Sequence, residues 1–572
     1  MRRPLRRPVR TAALVAATSL GLAPALAPPA GAAAPQALLK PPLSIDADDR
    51  DIPEPAARAA SEIFGVLHNS WLRRLDPGDW ALRRARRPAL NVNAWDEVPD
   101  SSWFSNRIGM APITPGELLD GPRGADPAPG IWRVQNVKTE GYTPGLQILD
   151  AAGRRYFLKF DLPEAPERNS AAEMIGSLIM HAAGYNVPSY SIVHFRGEDL
   201  EVGEGAVFED ELGRQRPMLP EDVTEALSLL APRSDGSYRG IASLFLSGSI
   251  KGPFSYTGTR GDDPNDIIPH ELRREIRGLR VIASWFNHVD VKENNTLDTY
   301  VSEEGRGFLR HYFIDYGSSM GSGDFVNGPC RVGFEHIFDG AATALALVTL
   351  GAWSRPWEDR CEIPYPEVGR FEGELFRPPG WKPNYPNLAF DEMDASDAYW
   401  GAKIVTAFTD EHVRVLAATG MYSRAEVSRY VEATLRARRD KIGRYWFGAV
   451  TPLEGFEVET SSGAWTLRFR DLAVERGYAL AESRSYRFEI RGALRLRPIE
   501  EGVSQQPGHV RIRPLGDIPA APSDRWGRRP LAVVAVRALS QDGTAAPPVR
   551  IVIGYQGTDT EPRVLGWAHA PR

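Results

Sequence analysis

The chain has 572 residues, 42% of them hydrophobic and 25% charged, the balance of ordinary globular protein with room for roughly three or four domains. Its formal net charge of −6 becomes −11 once the five Arg of the first ten residues are discounted. A chain that acidic argues against nucleic acid as a general partner.

Those ten residues contain no acid, and an Ala/Leu-rich run over 11–27 follows, ending in an Ala-x-Ala site at Ala30-Gly31-Ala32. Basic start, apolar middle and small-residue site predict a signal peptide over 1–32, and so a secreted or periplasmic protein. Pro24, Pro28 and Pro29 cut the apolar run short of the ~20 residues that a membrane span needs. No other run is long enough, so no transmembrane segment is expected after cleavage. No Cys lies near the cleavage region, so a lipoprotein anchor is not expected. Only Cys330 and Cys361 exist. An exported pair can form a disulfide, but spacing alone leaves that open.

Residues 33–130 read as an N-terminal extension. Ile63, Val66, Leu67 and Trp71 recur at helical spacing, predicting a helix over 55–75 that Pro77-Gly78 stops. Residues 93–104 are rich in aromatics and acids without a period. They form either a lid over substrate or a clamp that buries Trp95 and Trp103 against the main domain. The area that aromatics bury favours the clamp.

From Ile131 the pattern changes to strands over 132–138, 146–149 and 156–160, joined by short Gly-containing turns, an antiparallel meander. Lys159 lies in the third of these among large apolar residues, where an unpaired ammonium is costly. A phosphate and a carboxylate would relieve that cost; the alternative is a lysine snorkelling from an edge strand. Fourteen residues on, Glu173 begins a helix over 170–183 with Ile175, Leu178 and Ile179 on its apolar face and Gly184 at its end. Glu173 is the expected partner of Lys159, with Glu164 and Glu167 as rivals. Gly141 and Gly145 are the positions where backbone can approach a phosphate.

Strands are predicted over 190–195 and 238–246, separated by an acidic, insertion-like stretch over 198–235, with a hinge at 247–253. Asp262, Asp263 and Asp266 lack EF-hand spacing and read as a solvated acidic turn. His270-Glu271 lacks the second His of a zinc-protease site. Leu272, Ile276, Leu279, Ala283 and Phe286 then step through an amphipathic helix.

That helix delivers the chain into His288-Val289-Asp290-Val291-Lys292-Glu293-Asn294-Asn295, and Ile314-Asp315-Tyr316-Gly317 follows about twenty residues later. Magnesium wants hard oxygen ligands and few protein ones, so one carboxylate (Asp315) and one amide (Asn295) suffice. The second carboxylate, Asp290, is then left to accept a proton from a hydroxyl.

The octapeptide resembles the protein-kinase catalytic loop His-Arg-Asp-Leu-Lys-x-x-Asn, and Asp315-Tyr316-Gly317 resembles the metal-binding Asp-Phe-Gly turn. The order meander, Lys159, Glu173 helix resembles the kinase N-lobe. Val289 stands where the family has Arg and Tyr316 where it has Phe, so control by a phosphorylated activation loop is not expected. No Ala-Pro-Glu segment follows Asp315, and the first turn is not Gly-x-Gly-x-x-Gly. The resemblance covers about 131–446 and is closer to divergent bacterial and secreted members, the HipA-type and CotH-type kinases.

It implies an α+β, two-lobed protein-kinase-like fold over 131–450, with an antiparallel-sheet N-lobe to about 250 and a helical C-lobe beyond. It also implies ATP and Mg²⁺ as cofactors. Lys159, steadied by Glu173, would hold the α/β-phosphates, Asn295 and Asp315 the metal, Asp290 the acceptor hydroxyl, and Lys292 the charge on the transferring group. The acceptor class, protein, sugar or lipid hydroxyl, stays open. Two other readings remain: an exported pseudokinase that binds without catalysis, and nucleotidyl transfer on the same scaffold.

Gly321 to Pro329 is Gly-rich and expected to move. Helices are predicted over 341–350, 398–408, 410–419 and 423–446, the last with a Ser423/Glu426 capping box, and residues 355–386 read as irregular. Beyond 451, short alternating runs at 465–469, 486–490, 510–513, 531–537, 549–555 and 564–567 predict an all-β, sandwich-like domain over 451–572. It carries no evident chemistry and is expected to pack or to bind a partner.

Overall fold

The computed structural model describes residues 39–570 apart from 62–64, 66, 76–86, 123, 125, 139–144, 210–213, 323–329, 356, 462, 495–497 and 542. The leader over 1–32, the Pro77-Gly78 stop, Gly141 and most of the Gly-rich stretch after Gly321 lie outside the described residues. Among the described residues the fold is mixed α and β, with one large sheet and three smaller ones.

The large sheet holds β1 (Trp132–Lys138), β2 (Gly145–Leu149), β3 (Arg155–Phe160), β4 (Tyr190–Phe195), β5 (Leu200–Glu209), β6 (Gln215–Pro217) and β7 (Tyr238–Leu244), in the order β4-β7-β3-β2-β1-β5-β6. β1, β2 and β3 form the antiparallel meander that their alternation predicts. β3 lies inside the sheet between β2 and β7, so Lys159 is not on an edge. The acidic stretch over 198–235 is not an insertion. Its β5 joins β1 in parallel. Leu200 and Ala206 of β5 point into a core with Trp132, Val134, Leu146 and Leu158, while Glu201 and Glu204 face out and give the segment its loop-like composition. Helix α2 (Pro220–Ser228), which follows helix α1 (Arg168–Ala183) in the chain, adds Val223, Ala226 and Leu227 to that core.

α1 belongs to the second and largest core. Its Ile175, Leu178 and Ile179 pack with Tyr190 and Ile241 of the sheet and with α3 (Arg274–Trp285). α3 carries Ile276, Leu279, Val281, Ile282 and Ala283, all essentially inaccessible, each of the four larger aliphatic chains stabilising the fold by about 1.5–3 kcal/mol. The apolar helix that follows the site region is α4 (Gly340–Val348). α5 (Ala395–Ala407) and α7 (Ala425–Ala449) pack on α3, and α6 (Asp410–Thr419) packs on α7 and α1. α5 approaches α3 closely because Gly278 faces Trp400: a Cβ at Gly278 would lie 2.6 Å from that indole.

Several sequence expectations are corrected. Residues 55–61 are not helical; among the described residues of this stretch, helical backbone is found at Gly65 and over 67–75, including Arg73–Leu75. The hinge at 247–253 contains a strand, β8 (Ser249–Gly252), which pairs with the hairpin β9 (Thr296–Glu303) and β10 (Arg306–Phe313). The acidic turn is only partly solvated, through Asp262. Asp263 and Asp266 are buried, and Asp266 meets His270 Nε2 at 2.7 Å and Arg273 at 3.5 Å. The Ser423/Glu426 capping box does not form: α7 starts after Arg424, and Ser423 donates its N–H to Glu167 Oε2 at 2.9 Å.

The C-terminal region forms a three-stranded sheet, β11 (Leu453–Ser461), β12 (Ala464–Asp471) and β15 (His509–Ile512). It also forms a five-stranded one, β13 (Ser485–Gly492), β14 (Pro498–Ser504), β16 (Arg528–Leu539), β17 (Val549–Gln556) and β18 (Arg563–His569). Leu467 and Val510 of the first share a core with Ile490, Val534 and Ile551 of the second. β11 and β14 were not anticipated.

The Trp-rich segment is pinned on both sides. Trp103 is buried and stacks on His311 at 3.6 Å, with the Arg273 guanidinium 4.6 Å from its ring. Trp95 meets Trp567 of β18 at 5.2 Å. Between them Asp96 receives Arg274 at 2.8 Å and contacts His569 Nδ1 at 2.7 Å. Burial works against that carboxylate, but Arg274 and His569 outweigh it and keep it ionised. One buried acid thereby joins the extension, α3 and the last strand.

Candidate active site

The loop after α3 owes its course to Asn287, whose φ of 55° is left-handed backbone that Asn tolerates. Its side-chain oxygen accepts from Trp381 Nε1 at 2.9 Å. In the residues that follow, burial alternates. Val289 and Val291 enter the core, while Asp290 and Lys292 face the other way and are partly accessible. Val289 therefore occupies a place where a guanidinium would be buried among apolar groups. The loop closes on a short turn, Glu293–Asn295, held by Thr296 Oγ1 donating to Glu293 O at 2.6 Å and by Ser255 Oγ donating to Glu293 Oε1 at 2.7 Å.

Asn295 spends its amide nitrogen on Asp290, donating to the backbone O at 2.8 Å and to Oδ2 at 3.0 Å. That leaves the amide oxygen as the ligand atom of this side chain. Lys292 Nζ lies 3.4 Å from the same Asp290 oxygen. The hairpin β9–β10 then returns the chain to the loop, where Ile314 N–H donates to Asn295 O at 3.0 Å. This return places Asp315 beside Asn295 although twenty residues separate them.

Asp315 has φ 65°, a conformation unusual for a non-glycine residue and often held in place at functional sites. Its carboxylate lies 3.0 Å from Lys159 Nζ, and Glu173 Oε2 lies 3.3 Å from the same nitrogen. The Glu173 carboxylate also accepts the Tyr316 N–H at 3.1 Å. Glu167 serves Ser423 instead, so of the rivals for Lys159 the helix residue Glu173 is the one in contact. Gly317 is close enough that a Cβ there would stand 3.0 Å from Glu173 Oε2. Gly145 sits across from Lys159 in the β2–β3 register, and a Cβ at Gly145 would lie 2.7 Å from the Phe157 ring.

Charge follows from this arrangement. Burial disfavours the Lys159 ammonium, but Asp315 and Glu173 outweigh it and hold its pKa above the ordinary lysine value. Burial also opposes ionisation of Asp315, yet Lys159, helped by Lys292, holds that carboxyl below its usual range. Glu173 is more deeply enclosed, and burial together with Asp315 raises it despite Lys159. His288 is pushed down to about 4 by burial, so it is neutral near pH 7; it stacks on Phe286 and touches Ser319 Oγ at 3.1 Å.

Lys159, Glu173, Asp315, Asn295, Asp290 and Lys292 are thus brought into one linked set. The sequence did not point to Tyr190, whose hydroxyl hydrogen-bonds to Glu173 and accepts from the Asp315 N–H at 3.5 Å. A lone Tyr at a strand start carries no signal of that role. Among the described residues no cluster of three or more His, Cys, Asp or Glu is arranged to hold a metal. One carboxylate and one amide oxygen match what Mg²⁺ takes from protein when phosphates and water fill the rest of its shell.

No protein-family profile matches the chain, and no curated protein matches it. Among solved structures, the crystal structure of the Golgi casein kinase is similar over 71% of this chain and 94% of that chain, at 10% identity and a TM-score of 0.26. A likeness that distant transfers no residue roles.

Proposed function

We propose that the protein is an exported atypical kinase that transfers the γ-phosphoryl group of ATP to a hydroxyl acceptor. The observation that carries this reading is Lys159 Nζ held between Glu173 at 3.3 Å and Asp315 at 3.0 Å, next to a loop on which Asn295 binds Asp290. In this reading the seven-stranded sheet with α1 is the nucleotide-side lobe, the helices around α3 form the second lobe, and 451–572 is a β-sandwich. The leader composition and the Cys330–Cys361 bond, a linkage suited to oxidising compartments, support export.

Lys159 pairs with the α/β-phosphates and Glu173 fixes its position. Gly145 keeps the strand opposite Lys159 free of a side chain, and Gly141, outside the described residues, is assigned a backbone approach to phosphate from its sequence alone. Asn295 Oδ1 and Asp315 would hold Mg²⁺, which when bound supplies positive charge against the phosphates. Asp290 orients the acceptor hydroxyl and takes its proton. Lys292 balances charge on the group in transit.

The test is incubation with Mg²⁺ and ATP labelled at either the γ or the α phosphate. Transfer of γ label to an acceptor supports the reading. Transfer of α label identifies nucleotidyl transfer, and binding without any transfer identifies a pseudokinase; either result overturns it.

A further inference from the structure

Between Cys330 and Cys361, which are disulfide-bonded with their Cα atoms 5.0 Å apart, the chain makes an excursion whose tip is apolar. Residues 340–354 carry no charge. Leu345 is 41% exposed, Leu347 70%, Val348 83% and Leu350 95%, and Ala342 is the buried residue of α4. At about 100° per residue, Leu345, Leu347 and Val348 point in three directions around the helix axis. A flat protein face would cover one of those directions. The acyl region of a bilayer surrounds an inserted element on every side.

The neck of the excursion is polar and fixed. Asp339 caps α4 through Ala342 N–H at 3.1 Å and pairs with Lys382. Arg355 bonds Glu335 at 2.9 Å and lies over both Trp353, at 5.4 Å, and Trp357, at 5.7 Å. An apolar tip above a Trp-Arg-Trp collar is the vertical order of a membrane interface: hydrocarbon-facing residues, then indoles and a guanidinium at headgroup depth.

We propose that α4 and the turn after it insert into the surface of a lipid bilayer and dock the protein there. Nine residues of helix reach only about 14 Å, so this is shallow anchoring rather than a span. No helix among the described residues is long and apolar enough to cross a membrane. The neck is two hydrogen bonds from the candidate site: Ile337 N–H donates to Asn384 O at 2.8 Å, and Asn384 N–H donates to Val289 O at 2.7 Å. Docking would therefore set Asp290 beside the lipid surface, and it holds whether or not the chain transfers phosphate.

The test is flotation of the full chain with phosphatidylcholine vesicles and with vesicles containing added phosphatidylglycerol. Wild type is expected to float with both. A Leu347→Glu/Leu350→Glu variant, altered only at exposed positions, should lose bound fraction by at least about tenfold with an unchanged melting temperature. Wild type that stays down with both vesicles overturns the proposal, as does a variant that floats equally well. Self-association of wild type that the variant abolishes, without flotation, assigns the face to a second copy and also overturns it.

Discussion

One carboxylate of Glu173 accepts the Tyr316 backbone N–H at 3.1 Å and also meets Lys159 at 3.3 Å, so a single buried acid ties helix α1 to the turn that carries Asp315. Removing it by Glu173→Ala leaves Lys159 with Asp315 alone and leaves the Tyr316 N–H without its acceptor. The expected cost is about 3 kcal/mol, the low end for breaking a buried pair because one partner remains. Urea unfolding measures it, and phosphoryl transfer should fall in the same variant as Lys159 loses its second support.

Lys159 is the expected anchor of the nucleotide phosphates. Mg²⁺ and ATP together should raise the melting temperature of wild type, because a ligand that binds only the folded state stabilises it by mass action. In Lys159→Met that rise should vanish while a folded transition remains. A shift in the variant equal to wild type would remove Lys159 from the nucleotide site.

His288 gives a pH signature. Its folded pKa of about 4 lies below its ordinary 6.5, so the unfolded chain takes up the proton first as pH falls. The stability carried by the neutral ring is full above pH 6.5 and is lost progressively down to about pH 4, a change of roughly 3 kcal/mol. His288→Phe keeps the stack on Phe286 and should flatten that part of the acid limb. Melting curves of the two proteins between pH 7 and pH 4 measure the difference.

The parts of the site legible in the sequence are those where chemistry and spacing coincide. Asp290 and Asn295 lie on one short loop, and the apolar steps of α3 announce its approach. Lys159 was visible because a charge in an apolar strand demands a reason. The hairpin β9–β10 was not, although Glu304 and Gly305, at φ 50° and 78°, form the turn at its tip. Its polar Thr, Asp and Arg residues hide a strand pair whose inner positions are Val301, Phe308 and Leu309. The Ser423/Glu426 pattern misled because Glu167, distant in sequence, competes for the same serine. Likewise the acidic turn at 262–266 looked solvated because the contacts of Asp266 with His270 and Arg273, on the helical stretch that follows, are made only when the chain folds back.

The central claim is that Asp290 handles the acceptor proton while Lys159, Asn295 and Asp315 handle the nucleotide. Asp290→Asn keeps an oxygen for the Asn295 amide but removes the base, so it separates the two tasks. The direct measurement is the rate of γ-label transfer in wild type and Asp290→Asn, alongside the melting shift with Mg²⁺ and ATP. The account predicts a fall of about 10²–10⁴ in rate with the shift intact. A variant that transfers label at the wild-type rate would contradict it.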